Sequence, residues 1–192
     1  MFLREFFLQN GRMENSPIFG TLLREHRKAK GLSLWKFSVA IPYRQANIQR
    51  IERGLVEPRV RLAMRLLTVL GVDVGAFMEE MAVKENLLPT KSTQRDDLVP
   101  VLNTAPEKGL EPLGKLLRET RKVYQKSQNA ICKAAGYTTR NLIIVENGKQ
   151  NPKISTVLKL VCAIGCDVAQ FFNELARRYQ AQEADEAECG QQ

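Results

Sequence analysis

The sequence predicts an all-α chain of two tandem five-helix domains joined by a long linker. Three observations carry that expectation. Residues 19–81 align without a gap on residues 113–175 at an offset of 94. The matched pairs include Gly20/Gly114, Leu22/Leu116, Glu25/Glu119, Ser33/Ser127, Tyr43/Tyr137, Glu52/Glu146, Gly54/Gly148, Pro58/Pro152 and Phe77/Phe171. Within each copy the apolar residues recur at helical spacing. Capping residues, Gly and Pro divide both copies at the same places. Self-similarity at one fixed offset marks a duplicated structural unit.

Taken in order, residues 1–16 form an N-terminal extension, and the first domain spans 17–82. Its first helix is expected over 17–30, with Ile18, Leu22, Leu23 and Ala29 on one stripe. Gly31 stops it, and Ser33 is placed to cap a second helix at 34–41, with Phe37 and Ala40 inward. A turn at Pro42–Arg44 leads to a third helix at 45–53, with Ile48 and Ile51 inward. Gly54 ends it. Pro58 precedes a fourth helix at 59–70, whose core residues are Leu62, Leu66, Leu67 and Leu70. Asp73 caps a fifth at 74–82, with Phe77 and Met81 on its apolar side. Residues 83–111, with Pro89, Pro100 and Pro106, read as the linker. The second domain, 112–179, repeats the plan at 112–124, 128–135, 139–147, 153–164 and 168–179. Residues 180–192 read as an acidic tail expected to fray or be disordered.

Composition bounds the function. The chain is 44% hydrophobic and 26% charged, with a formal net charge of +8. That charge is concentrated on the two copies: 17–82 carries +5 and 112–176 carries +6, so the rest is net negative. Such a distribution is the footprint of a polyanion-binding surface. Cys132, Cys162, Cys166 and Cys189 lack a zinc spacing, and His26 is the one histidine. None of the four has a cysteine counterpart in the first copy, so they read as reduced thiols of a cytoplasmic protein. No apolar run reaches membrane-spanning length. Residues 1–9 carry Arg4 and Glu5 within their apolar stretch, which argues against a signal peptide. No catalytic constellation, metal or cofactor site, or small-molecule substrate site is expected, so an enzyme is disfavoured.

The motif Glu-x-Gly at Glu52/Gly54 and Glu146/Gly148, with Pro58 and Pro152 four residues after each Gly, resembles the Cro/lambda-repressor (Xre) helix-turn-helix. The resemblance implies a lambda-repressor-like helix-turn-helix fold for each copy. In that family the third helix enters the major groove of double-stranded DNA. Carried over residue by residue, base reading falls to Gln45, Ala46, Gln49 and Arg50, and in the second copy to Thr139, Arg140, Ile143 and Ile144. Gln suits adenine, Arg suits guanine, and Ala can touch a thymine methyl. Backbone contact falls to Arg24, Arg27, Lys28, Asn47, Arg53, Arg118, Arg121, Lys122, Gln128, Asn141 and Lys149. Glu52 and Glu146 are expected to bond within their own domains.

Two departures bear on function. Gly136 holds the turn of the second copy, whereas Pro42 stands there in the first. Its ring disfavours positive φ, so a reshaped turn is expected. Trp35 and the Ile143/Ile144 pair put apolar residues where polar ones are usual. The function implied is a sequence-specific DNA-binding transcriptional regulator. It would be a repressor-type protein of a bacterium, phage or mobile element, nucleoid-associated when bound. Its two heads would reach half-sites at several spacings through the linker. The alternative is a protein-interaction module (antitoxin, anti-activator or accessory factor) that uses one copy to bind a protein. Phe171, Phe172 and Leu175 could pair two chains as a homodimer, although ordinary core is the simpler reading.

Overall fold

The computed structural model describes residues 17–88 and 112–189, with side chains to residue 186. The expectations for the extension 1–16, for 89–111 and for 190–192 lie outside the described residues. Among the described residues there are ten α-helices and no strand. The first five are α1 (Ile18–Ala29), α2 (Leu34–Ala40), α3 (Gln45–Glu52), α4 (Val60–Leu70) and α5 (Val74–Lys84). The second five are α6 (Pro112–Val123), α7 (Gln128–Ala135), α8 (Thr139–Glu146), α9 (Ile154–Ile164) and α10 (Val168–Cys189).

Local chemistry sets these boundaries. The Ser33 hydroxyl accepts from Lys36 N, Ser127 from Ala130 N and Thr138 from Asn141 N, each satisfying a donor that a helix start leaves open. The Asp73 carboxylate does the same for Ala76 N at 2.7 Å. Phe19, Leu22, Leu23, Phe37, Ile48, Ile51, Leu66, Leu67 and Phe77 are buried and form the core of the first copy. Ala29 and Ala40, expected inward, are exposed, and Leu62 is half-buried. Both alanines sit on final helical residues, where little packs against them.

One expectation is borne out in part and one is corrected here. The turn in the first copy differs from that in the second: α2 ends at Ala40, one residue short of the equivalent of Ala135, and Pro42 has no N–H to match the cap that Gly136 donates to Cys132 O. Pro42 stands at φ +25°, on the positive side like Gly136 at +64°. A pyrrolidine ring favours about −65°, so this proline is held under strain by its flanking helices. The helix expected to end at 179 also runs on to Cys189, through most of the tail expected to be disordered. Its acids have partners: Arg61 Nη2 lies 3.6 Å from Glu186 and Arg65 Nε 3.5 Å from Glu183. Gln182 Nε2 donates to Glu186 Oε1 one turn along.

The two halves dock on one another through equivalent parts. Among the described residues the largest helix–helix contact is α5 against α10. Val74, Phe77, Met78, Met81 and Ala82 are buried on α5, and their 94-offset counterparts Val168, Phe171, Phe172, Leu175 and Ala176 are buried on α10. Those aromatics are therefore core, as the simpler reading had it. At Gly75 an added Cβ would lie 2.5 Å from Ala169 O, so the helices meet closely there. The Gly75 amide donates to Asn173 Oδ1 at 2.7 Å.

Beside this contact the segments ahead of α4 and α9 pair antiparallel, with Arg59 opposite Lys153. Val60 N donates to Pro152 O at 3.0 Å and Ile154 N to Pro58 O at 3.1 Å. Neither α4 nor α9 has a side-chain cap of its own. Each receives one from the other half. Ser155 N in the first turn of α9 donates to Glu57 Oε1 at 2.8 Å, and Arg61 N in the first turn of α4 donates to Asn151 Oδ1 at 3.4 Å. Residues 57 and 151, 58 and 152, and 60 and 154 are all 94 apart, so the contact is reciprocal, as in an isologous dimer. The two halves are thus held at one separation, not at the several spacings expected from the linker's length.

Candidate nucleic-acid interface

The 3.6-residue period fixes the two faces of α3. Ile48, Ile51 and Glu52 are buried against α1 and the core. Gln45, Ala46, Gln49 and Arg50 are left exposed on the opposite side. Against the backbone of α3 lies Gly20 of α1, where an added Cβ would come within 1.9 Å of Ile51 O. Gly114 meets Val145 O in the same way at 2.4 Å. Both glycines are required by close approach, and both set how far the third helix stands out.

A buried ion pair fixes the orientation. Arg27 Nε donates to Glu52 Oε1 at 2.6 Å and Arg27 Nη2 to Glu52 Oε2 at 2.9 Å. Its Nη1 donates to Leu32 O at 2.6 Å, which ties in the loop before α2. The Glu52 hydrogen bonds push the Arg27 pKa above its ordinary value. In the second half Arg121 makes the same fork to Glu146, at 2.7 and 3.1 Å, and donates to Lys126 O. Gln128 Nε2 also donates to Glu146 Oε2 at 2.8 Å. Arg118 lies 3.7 Å from Glu146 and donates to Asn147 Oδ1.

These contacts redistribute the expected backbone ligands. Arg27, Arg121 and Gln128 are committed within the protein and carry the third helices, whereas Arg118, although paired, keeps 38% of its side chain exposed. Glu52 and Glu146 bond within their own halves, as their inward positions imply. Arg24, Lys28, Arg53, Lys122 and Lys149 are exposed, whereas Asn47 and Asn141 are half-buried.

The outward positions of α8 differ from those of α3. Thr139 is half-buried, and its hydroxyl donates to Asn129 Oδ1 at 2.8 Å. Arg140 is exposed. Ile143 is 41% exposed, and Ile144 is half-buried. The α3 face therefore offers two amides and a guanidinium to solvent, and the α8 face offers one guanidinium and an isoleucine.

Charge follows the same surface. Between Glu25 and Glu52 there is no acidic residue, while Lys28, Lys30, Lys36, Arg44 and Arg50 are exposed. Between Glu119 and Glu146 there is again none, while Lys122, Lys126, Lys133 and Arg140 are exposed. Lys36, Arg44, Lys126 and Lys133 are missing from the residues expected from sequence, although the acid-free runs are legible there. Such clustering is what a phosphate backbone selects.

Among the described residues no group of three or more His, Cys, Asp or Glu could hold a metal ion. No described helix is long and apolar enough to cross a membrane. No curated protein and no solved structure is similar to the chain. Residues 18–80, which span α1 to α4 and most of α5, match the helix-turn-helix domain family.

Proposed function

We propose that the chain is a sequence-specific double-stranded-DNA-binding transcriptional regulator built from two Xre-type helix-turn-helix domains docked as a dimer within one polypeptide. The observation that carries this is the exposed face of α3. It presents Gln45, Gln49 and Arg50, groups that can pair with base edges, in the middle of an acid-free run of exposed cations. The family match of 18–80 supports it for the first half. For the second half the support is the 94-residue correspondence of helices, the shared Arg–Glu fork and the shared Gly contact.

In this reading α3 and α8 enter successive major grooves, and Arg24, Lys28, Arg53, Lys122 and Lys149 lie along phosphates. Single-domain relatives of this kind dimerise to read palindromes. Here the docked halves replace the dimer, so one chain suffices and the half-site spacing is fixed. The halves of the site are unequal. The α3 half carries most of the base discrimination, and the α8 half contributes Arg140 and an Ile143 contact to a thymine methyl. A bacterial or phage-type repressor acting on the nucleoid fits this plan. The exposed Ile143 favours one second reading, in which the α8 face binds a protein partner instead.

The test is a pair of substitutions read on duplexes. Arg50→Ala weakens the specific site and relaxes one base position, with a loss of about 1–3 kcal/mol. Arg24→Ala weakens all sequences alike and lowers the salt slope by about one. Equal loss of specificity from both substitutions contradicts the assignment of roles. For the second reading, Ile143→Asp abolishes partner capture and spares DNA binding by the first half.

A further inference from the structure

We infer that Trp35 is a duplex-contacting side chain, extending the α3 face onto the sugar–phosphate backbone beside Gln45. The inference rests on the DNA-binding reading above. Trp35 is the second residue of α2 and is 62% exposed. Its counterpart in the second half is Asn129, which accepts from Thr139 at 2.8 Å, and Thr139 is the counterpart of Gln45. The two halves share helix order, and Ser33 caps α2 as Ser127 caps α7. Position 35 therefore stands against the N-terminal end of the third helix, where a groove-bound helix meets the flanking strand.

The side chain suits that place. An indole has an apolar plate for a deoxyribose and one Nε1–H donor with no acceptor. A phosphate oxygen is an acceptor only, so the pairing is one-directional and complementary. The first turn of α2 is pinned, because Ser38 Oγ donates to Trp35 O at 2.7 Å. Exposed Lys36 follows it in the chain, and exposed Arg44 stands at the start of α3. Val39 is also exposed, at 60%, one turn along α2. An apolar protein partner could cover Val39 with Trp35. It would, however, bury cations that have no acid nearby to balance them, whereas a duplex neutralises them. Charge thus selects the polyanion.

Trp35 is the single tryptophan of the chain, so its emission reports this one position. The experiment titrates full-length protein with a labelled mixed-sequence duplex of about 30 base pairs, long enough for two major-groove turns. Duplex anisotropy, tryptophan emission and iodide quenching are read together. Emission should change in step with anisotropy, and the bound duplex should shield Trp35 from iodide. Trp35→Ala should weaken binding about tenfold, the loss expected for one hydrogen bond to a charged acceptor. Trp35→Phe, which keeps a ring but not the donor, should fall between. Circular dichroism should be unchanged in both. Saturating anisotropy with unaltered emission and iodide quenching would overturn the role of Trp35 while leaving the DNA reading intact. No anisotropy change at any salt would overturn both.

Discussion

Arg24 and Arg27 lie one turn apart on α1 and do different work. Arg24 is exposed, whereas Arg27 is buried in a two-point fork on Glu52. Removing one partner of a buried pair leaves the other charge uncompensated, at a cost of about 3–5 kcal/mol. Arg27→Met should therefore lower unfolding stability by about 3 kcal/mol in denaturant titration. The salt slope of DNA binding should be unchanged, because no phosphate contact is lost. The thiols give a pH dependence. Burial pushes Cys162 and Cys166 up to about 12. Unfolded thiols ionise near 8.5, so above that pH the unfolded state binds fewer protons than the folded one. Stability should then fall with rising pH, by up to about 1.4 kcal/mol per unit per thiol. Cys166, which is buried where Cys162 is half-buried, should be the thiol that resists alkylation at pH 8 until the chain is unfolded.

At the level of elements, most helices were legible from sequence because their signals are local. The Ser33 and Asp73 caps, the stops at Gly31 and Gly54 and the apolar stripes each act within a few residues. The ends of α1 to α9 accordingly fall within two residues of expectation. The end of α10 was not legible. Beyond the Gln182–Glu186 pair, the contacts that hold residues 180–189 are not local: Glu183 and Glu186 find their arginines on α4, far away in sequence. Docking was missed for the same reason. The apolar residues of α5, Val74, Phe77, Met78, Met81 and Ala82, fall at i, i+3, i+4, i+7 and i+8, a single stripe that any surface helix carries, so they gave no sign of docking. Gly75 was the one local trace, since a glycine within a helix costs about 1 kcal/mol unless something requires it. Gly75→Leu should drive the side chain into Ala169 and Asn173. The single cooperative melt expected of the parent chain should then split into two transitions. Glu57→Ala should remove the cap that α9 receives from the other half, costing about 0.5–2 kcal/mol of stability.

The third helices show the same division within the candidate site. The outward positions of α3 followed from the period alone. Arg27, Arg121, Gln128 and Arg118 did not, because charge in a sequence does not say which cation meets a buried carboxylate. Glu52 and Glu146 were recognised as inward groups, but their partners were not drawn from that. An inward carboxylate requires a cation, and Arg27 and Arg121 share its 94-residue correspondence.

At the scale of the whole molecule, the two five-helix halves are each short enough to be near the lower size limit for a self-sufficient core. Docking α5 on α10 gives them a common one. The reciprocal contacts at Pro58 and Pro152 also leave the two halves one relative placement. On the proposed function, the DNA site would have a single gap and unequal halves. The measurement that tests this most directly is selection of bound duplexes from a random pool by the full-length protein at near-physiological salt. Docked heads should enrich a two-part motif with one fixed gap, sharper in the half read by α3. Enrichment of two halves at many gaps would contradict the docking. A single half-site would contradict DNA reading by α8. Binding without enrichment that vanishes as salt rises would contradict sequence-specific recognition.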